Sequence, residues 1–440
     1  MQSDVLIVGG GVTGLGTALR LKVDACLYEK EKQLGGCLRS DYKSGYTIDR
    51  TGHLMHFRDQ YVQGVIDRLS IEWIHFNRKS EIFIQSRRVP YPIQYHLHAL
   101  PMETRLDCLM SYLDTLDKQP SLQDSFEQWS RSSFGDRLHE LFFAPYNSKL
   151  WQADLNSFNA EWTQRFVAMP DRELIVRGAL GCHLNEAFGY NATFSYPRKG
   201  GSQAIVDALA AETSIPIRTG VELVAVDPMS RTCEFSDGSC VHYRSLVSSL
   251  PLPQLLRIVH NVDSKILEIS TRLRHNSLLY FAFGYENYGE NPSEHWVYFP
   301  ESQFLMYRVG VLSNYSSEVA PRGSILLCAE IAFPGESARY ADPETLRQRV
   351  VADLISGGIV QPNWTKNFEH HGIIDCAYVI FDQARRDALP RILAYLRGLG
   401  IHSVGRYGAW GYGSIGDALI EGRDCAEAIN LEFRAPSASV

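Results

Sequence analysis

Apolar residues recur along this chain in two rhythms, and the switches between them predict its organisation. Residues 5–8 and 25–28 are short unbroken apolar runs, the pattern of strands buried on both faces of a parallel sheet. Between them, 15–21 reads as a helix with small residues at its start. Residues 81–94 predict a hairpin that ends in an extended, proline-containing strand. From about 96 to 177 the period becomes helical: Leu106, Leu109, Tyr112, Leu113 and Leu116 fall on one face, and Phe134, Leu138, Leu141 and Phe142 form a similar group. Residues 203–211 predict an amphipathic helix, 223–227 a strand, 233–235 with 240–243 a hairpin, and 246–250 a further buried strand. Strands dominate from 255 to 385, at 277–283, 294–299, 305–312 and 325–332, interrupted by a helix over 343–356. A strand over 402–406 then ends in Gly405-Arg406, and a helix runs from 416 to about 430.

Glycine changes the picture where strands end. Gly9, Gly11 and Gly14 follow the first strand as GxGxxG and open the first helix. Gly9 suits a tight turn, Gly11 a close backbone approach to a pyrophosphate, and Gly14 close helix–strand packing. Glu29 stands eighteen residues after Gly11, at the end of the second strand, where a carboxylate bonds a ribose diol. A second glycine element follows: Lys30, then Gly35-Gly36, then Arg39, which can meet an anion, then Gly52-His53. An NAD enzyme has no need of it, whereas glutathione-reductase-type flavoproteins use one to bring the chain back across FAD. Gly416-Asp417, at the start of the last helix, offers further backbone N–H groups to a second anion or to the ribityl and pyrophosphate face of that cofactor.

The expected fold is therefore α/β with α+β character: a Rossmann-like, glutathione-reductase-type FAD-binding domain with a helical insertion and an antiparallel-sheet substrate domain. The expected divisions are 1–80, 195–255 and 386–434 for the FAD domain, 97–190 for the helical domain, 81–96 and 256–385 for the sheet domain, and a disordered tail at 435–440.

Composition narrows the function. The 440 residues are 45% hydrophobic and carry a formal charge of -7 with no basic run, which argues against a nucleic-acid partner. No run of about 18 apolar residues predicts a membrane span. Nine scattered cysteines, without CxxC or Cys/His metal spacing, suggest a reduced, cytoplasmic protein without a bound metal. No basic-then-apolar leader precedes the first strand.

The landmarks together resemble the FAD-containing amine oxidase and protoporphyrinogen oxidase superfamily, and within it the UDP-galactopyranose mutase family, especially its eukaryotic branch. Gly52-His53 resembles that family's Gly-His before the flavin. Val89-Pro-Tyr91-Pro-Ile-Gln94 is similar to its uracil-holding Val-Pro-Tyr-Pro-Phe-Gln, and Pro145-Tyr-Asn147-Ser-Lys149-Leu-Trp151 to its Pro-Tyr-Asn-Phe-Lys-Val-Trp. Tyr298-Phe-Pro-Glu301, Tyr307-Arg308 and Ser313-Asn-Tyr-Ser316 follow its order, as does Gly405-Arg406-Tyr-Gly-Ala-Trp410-Gly-Tyr412. There are departures. The loop after Tyr412 is shorter and lacks the family's asparagine. Phe166 stands where the family has an arginine, with Arg165 one place earlier. Cys376-Ala-Tyr378-Val379 replaces His-Gly-Tyr-Pro. The phosphate contacts look kept and the sugar contacts altered.

The resemblance implies a mutase that interconverts pyranose and furanose nucleotide sugars, with N5 of reduced FAD as nucleophile at the anomeric carbon and NAD(P)H or another donor as reductant. It implies a catalytic group of His53, Arg308, Tyr298 and Tyr378, with Arg308 and the tyrosines on the diphosphate. It also implies substrate contacts at Tyr91, Gln94, Asn147, Trp151, Arg165 and Tyr412. Leu223, Gly405, Arg406, Gly416 and Asp417 join the opening glycines at FAD. Two alternatives remain: a net redox oxidase of the amine or porphyrinogen type, which needs an apolar or aromatic pocket, and a non-catalytic FAD-binding protein.

Overall fold

The opening apolar run forms the strand Gln2–Val8, whose last four residues are buried on both faces, Val5 and Ile7 in one apolar cluster and Leu6 and Val8 in another, while a strand pairs along each edge. It runs parallel to Ala25–Glu29, which is parallel to Ile217–Thr219, and on its other side parallel to Cys240–Ser248. The computed structural model describes residues 2–182, 188–189, 192–286 and 292–434, the side chain of Arg165 excepted. The predicted hairpin arm 240–243 and buried strand 246–250 are one strand of 9 residues. Its burial alternates at first, where it carries the antiparallel Thr232–Phe235 and through that Leu223–Asp227. Burial becomes continuous at Ser245–Ser248, where Ile401–Ser403 covers its other edge. A change of neighbours halfway along explains why the sequence read as two elements.

The helix Val12–Ala18 lies against the helix Ile415–Arg434. They meet at Gly422, where a Cβ would fall 2.6 Å from Thr13 O and 2.8 Å from Thr17 N. Asn430 fastens the pair by accepting from Lys22 N and donating to Arg20 O, both at 2.9 Å.

The second sheet has seven strands, in the order Lys366–Ile374, Asn276–Glu286, Ser324–Pro334, Arg308–Val311, Trp296–Tyr298, Ser80–Ile84, Arg87–Pro90. All neighbours are antiparallel except Trp296–Tyr298 with Ser80–Ile84. The hairpin around residue 85 thus belongs to this sheet. Its far end departs from expectation: after Pro90 the chain turns into a 3-10 segment, Ile93–Tyr95, rather than extending. The helix Pro343–Ser356 matches its prediction and is capped by Asp342, which accepts from Glu344 N and Thr345 N.

Helices fill the stretch between the hairpin and Thr193–Pro197. Met102–Leu113 and Phe126–Phe134 precede a helix that begins at Asp136, passes a π-helical turn at His139–Phe143 and continues as Ala144–Trp151; Thr163–Phe166 and Arg172–Ala179 follow. Their interior is aromatic, with Phe126, Trp129, Phe134, Phe142, Phe143 and Trp151 all buried. The expected tail at 435–440 lies outside the described residues.

Candidate functional site

A cavity of about 430 Å³ opens between the carboxyl ends of the parallel strands and the second sheet. Val8, Gly9, Glu29 and Ser249 come from the parallel strands and the turns after them; Leu278, Trp296, Arg308, Gly310 and Glu330 come from the other sheet. Cavities at this edge of a doubly wound sheet are the usual place for nucleotides.

Absent side chains shape the nucleotide end. Gly9 has φ +105°, and a Cβ there would lie 2.1 Å from Ser249 Oγ. Gly14 does not line the cavity; its hypothetical Cβ would strike Gly9 O at 2.0 Å, so it holds the helix close to the strand. Gly11, at the start of the first helix, faces open space, with nothing within 4 Å of a Cβ. The second glycine element crosses here: Gly35 N donates to Gly10 O at 2.9 Å, and Gly36, with φ +56°, lies beside Gly11. Glu29 fixes the crossing by accepting from Gly10 N at 2.7 Å and Glu31 N at 2.9 Å. The result is a bare cradle with exposed N–H groups and a carboxylate at its rim, which fits a dinucleotide. Lys30 and Leu223 also line it.

Gly52 and His53 line the cavity nearer the second sheet. Burial, and after it the Arg406 guanidinium, pulls the His53 imidazole down to about 4, so the ring is neutral at neutral pH. His53 Nδ1 lies 3.4 Å from Thr51 O. Gly405 has φ +81° and sits against Thr13. Arg406 donates to Ala377 O at 2.9 Å and Gly413 O at 3.2 Å, with its guanidinium over Tyr412 (4.7 Å) and Tyr378 (5.2 Å). Arg406 thus braces two of the tyrosines that line the wall.

Arg308 faces the cavity with an acid at its back. Its Nε and Nη2 donate to Glu330 Oε1 and Oε2 at 3.0 and 2.9 Å, and Tyr307 OH donates to the same carboxylate. The strand pairing sets this contact, because Arg308 and Glu330 are direct partners across adjacent strands. Glu330 is 2% exposed and Arg308 22%, so the ion pair is inward and the rest of the fork meets the cavity. Two of the guanidinium's nitrogens are committed, and Nη1 makes no hydrogen bond to a described residue.

Other expected site residues are used elsewhere. Arg39 does not reach the cavity wall; it pairs with Glu31 at 3.1 Å, holding that carboxyl below its ordinary value. Gly416 packs toward Val62, and Asp417 closes the helix start by accepting from Ser414 N and Oγ at 2.6 and 2.8 Å. The cavity is lined instead by Gly413, Ser414, Ile415 and Ala418, because the short loop after Tyr412 comes before the helix rather than over it. Asn147 and Trp151 serve each other: Trp151 Nε1 donates to Asn147 Oδ1 at 3.2 Å, and Asn147 Nδ2 donates to Phe143 O at 2.8 Å. Both are buried, and Trp151 reaches the wall only through its edge contact with Tyr378. Gln94 is buried and donates to Ala168 O at 2.8 Å. Tyr91 lies under the Arg78 guanidinium (4.8 Å) and lines a separate cavity of about 300 Å³. Tyr298 lines neither cavity; its ring lies between Tyr91 (5.1 Å) and Tyr146 (5.2 Å). The side chain of Arg165 lies outside the described residues, and its neighbour Phe166 lines the wall, 4.5 Å from the Tyr412 ring.

Sequence reasoning missed Glu330, Tyr315, Ser249 and Phe166 as lining residues. Glu330 carried a readable signal, a lone carboxylate inside the apolar run 325–332. Phe166 stood in the register of the family's arginine and Tyr315 inside the Ser313–Ser316 motif, while Ser249 carried no signal.

Against known proteins, a model for flavin-containing amine oxidoreductases matches residues 12–430. The chain is similar to a reduced UDP-galactopyranose mutase, with TM-score 0.91 and 28% identity over 99% of this chain and 96% of the other. It shares its fold with a protein of Exiguobacterium sp. 255-15 described as a protoporphyrinogen oxidase (TM-score 0.77, 17% identity, 98% and 99% covered). A putrescine oxidase variant redesigned in cofactor binding also shares it (TM-score 0.68, 17% identity, 98% and 99% covered). The cradle, the cavity it opens into and the match over nearly the whole chain agree: this chain belongs to the flavin-containing amine oxidoreductase family, and its cofactor is FAD.

Proposed function

We propose that the protein is a nucleotide-sugar mutase that interconverts pyranose and furanose forms, as in the UDP-galactopyranose mutase it is similar to. The observation that carries this reading is the convergence of Arg308, Tyr378 and Tyr412 on the cavity that begins at the glycine cradle. A cation and two phenols at such a wall suit a diphosphate leaving group. When bound and reduced, FAD supplies a nucleophilic N5 for the anomeric carbon. The protein's share is binding and orientation. Arg308, backed by Glu330, offers its uncommitted N–H groups to the diphosphate, and Tyr378 and Tyr412 offer hydroxyls. His53, held neutral, places no standing charge beside the cofactor, and its ring nitrogen can take up a proton, becoming cationic only until it hands that proton back. Phe166 gives this part of the wall an aromatic face in the register where the mutase family has an arginine, which favours a sugar other than galactose.

One observation favours a second reading. Glu330 neutralises Arg308, and Phe166, Leu278, Trp296 and Ile374 make much of the wall apolar, as an amine or porphyrinogen oxidase would need. The deciding experiment incubates photoreduced enzyme with a panel of UDP, dTDP and GDP sugars and follows ring contraction by NMR. A mutase converts at least one sugar and leaves the flavin reduced. Flavin bleaching by an amine or porphyrinogen with recovery in oxygen, and no ring contraction, would establish the oxidase.

A further inference from the structure

The hairpin that delivers Arg308 is held from outside its own sheet. Between Trp296–Tyr298 and Arg308–Val311 the chain makes a loop over residues 299–307. It is closed by Phe299 N donating to Tyr307 O at 2.9 Å, and Phe299, Phe304 and Met306 are buried. Three of its carbonyls point to one place. Lys149 Nζ donates to Phe299 O at 2.7 Å, Glu301 O at 3.2 Å and Met306 O at 2.7 Å.

Three N–H donors meet three acceptors, the full donor capacity of an ammonium. Backbone carbonyls turned inward from a loop must find donors, and Lys149 supplies three, although burial pulls its ammonium down to about 7 against the raising effect of nearby acids. The acids that face the group are Glu301, from the loop itself, and Asp353, from the helix Pro343–Ser356. Asp353 is itself engaged, accepting from Leu305 N at 2.6 Å and Arg349 Nε at 2.9 Å. Lys149 comes from the helix Ala144–Trp151, 150 residues before the first of these carbonyls. The same helix sets the Tyr146 ring against Tyr298 (5.2 Å) and Tyr307 (6.1 Å). Helical insertion and catalytic hairpin are therefore joined by one ammonium and one ring, just before the chain enters the Arg308–Glu330 pair.

We propose that Lys149 is a positioning residue: by tying the loop 299–307 to the helical insertion, it sets where the Arg308 guanidinium stands in the flavin cavity. Lys149 does not itself line that cavity, so it acts only through the hairpin. The kinetic part of this inference rests on the mutase reading; the structural tie does not. Small displacements of an orienting group carry large rate penalties, because the reacting geometry tolerates only fractions of an ångström.

The test uses FAD-loaded Lys149→Met, which keeps the aliphatic stem and removes the donors, beside Arg308→Met and the double variant. Hydrogen exchange of the peptide spanning 299–308 is read first. Exchange there should rise about tenfold or more, with the exchange of the parallel sheet unchanged. Under turnover, kcat per bound flavin should fall roughly 10–100-fold. That fall should shrink to less than about twofold when Lys149→Met is made in the Arg308→Met background, as expected for residues acting through one element. A purely structural lysine would lower flavin content and leave kcat per flavin unchanged, and the effect would persist in the double variant. Wild-type exchange in 299–308 overturns the tie. Raised exchange with wild-type kcat per flavin in a working mutase overturns the positioning role. If the wild-type enzyme turns over no nucleotide sugar, the mutase reading and the kinetic role fall together, and the exchange measurement still decides the tie.

Discussion

The two ends of the cavity are built on opposite principles. The nucleotide end is made of missing side chains: Gly14 and Gly36 bring backbone against backbone, Gly9 and Gly35 leave room for neighbouring side chains, Gly11 faces open space, and Glu29 pins the crossing. The second-sheet end is made of large side chains that lean on one another: Arg308 on Glu330 and Arg406 under Tyr378 and Tyr412, with Trp151 behind Tyr378. A glycine required by geometry has one job. A long side chain has several partners within reach, and burial decides among them. The first end is therefore rigid to substitution in kind, and the second in arrangement.

The sharpest way to break this contrast is at the cradle. Gly14→Ala places a methyl 2.0 Å from Gly9 O, in backbone that cannot yield cheaply. It should cost roughly 3 kcal/mol or more and yield protein largely free of flavin, read by the 450-nm band per polypeptide. Gly11→Ala has open space around it and should keep the wild-type melting point of the flavin-free protein while weakening FAD binding. Equal behaviour of the two would end the distinction between packing and approach. At the other end, Arg308→Met should lower kcat/KM of the mutase reaction by about 2–4 kcal/mol in transition-state terms, with FAD still bound. Wild-type kinetics would remove Arg308 from the site.

His53 gives an intermediate effect with a fixed sign. Its folded value of about 4 lies below the ordinary 6.5. Between those values the unfolded chain binds more protons, so stability is fully present above about pH 6.5 and is lost as pH falls toward 4. In His53→Gln the unfolding free energy from urea melts should change less between pH 7 and pH 4.5, by on the order of 1–3 kcal/mol. An unchanged difference would mean that the imidazole is charged or exposed. The smallest effect belongs to Asn147→Ala. It should cost about 1–2 kcal/mol of stability for the lost Trp151 bond and leave KM within about twofold. A tenfold rise in KM would return Asn147 to the substrate.

The same contrast explains what could be read from the chain alone. The glycine spacing and the apolar strand Val5–Val8 announced the nucleotide end, because only one backbone path satisfies them. The second sheet was legible as a series of strands at 277–283, 294–299, 305–312 and 325–332, and Arg308 as a cation inside the third of these. Its partner was not, because pairing Arg308 with Glu330 requires the register between two strands whose distance along the chain says nothing about alignment. Asn147, Trp151 and Gln94 resembled ligand contacts by motif, and only packing reveals that each is already hydrogen-bonded inside the helical region. The loop after Tyr412 shows the same difficulty at short range, since Asp417 caps its own helix instead of reaching inward.

The junction of Val12–Ala18 with Ile415–Arg434 has a bearing on biosynthesis. The helix that follows the glycine turn finds its close neighbour some four hundred positions downstream, through Gly422 and Asn430. A nascent chain still missing that segment carries the whole dinucleotide fingerprint but lacks the largest surface its helix packs against. Fragments that end before residue 415 are therefore expected to hold FAD poorly however complete their signature motif, which the 450-nm band per polypeptide would read.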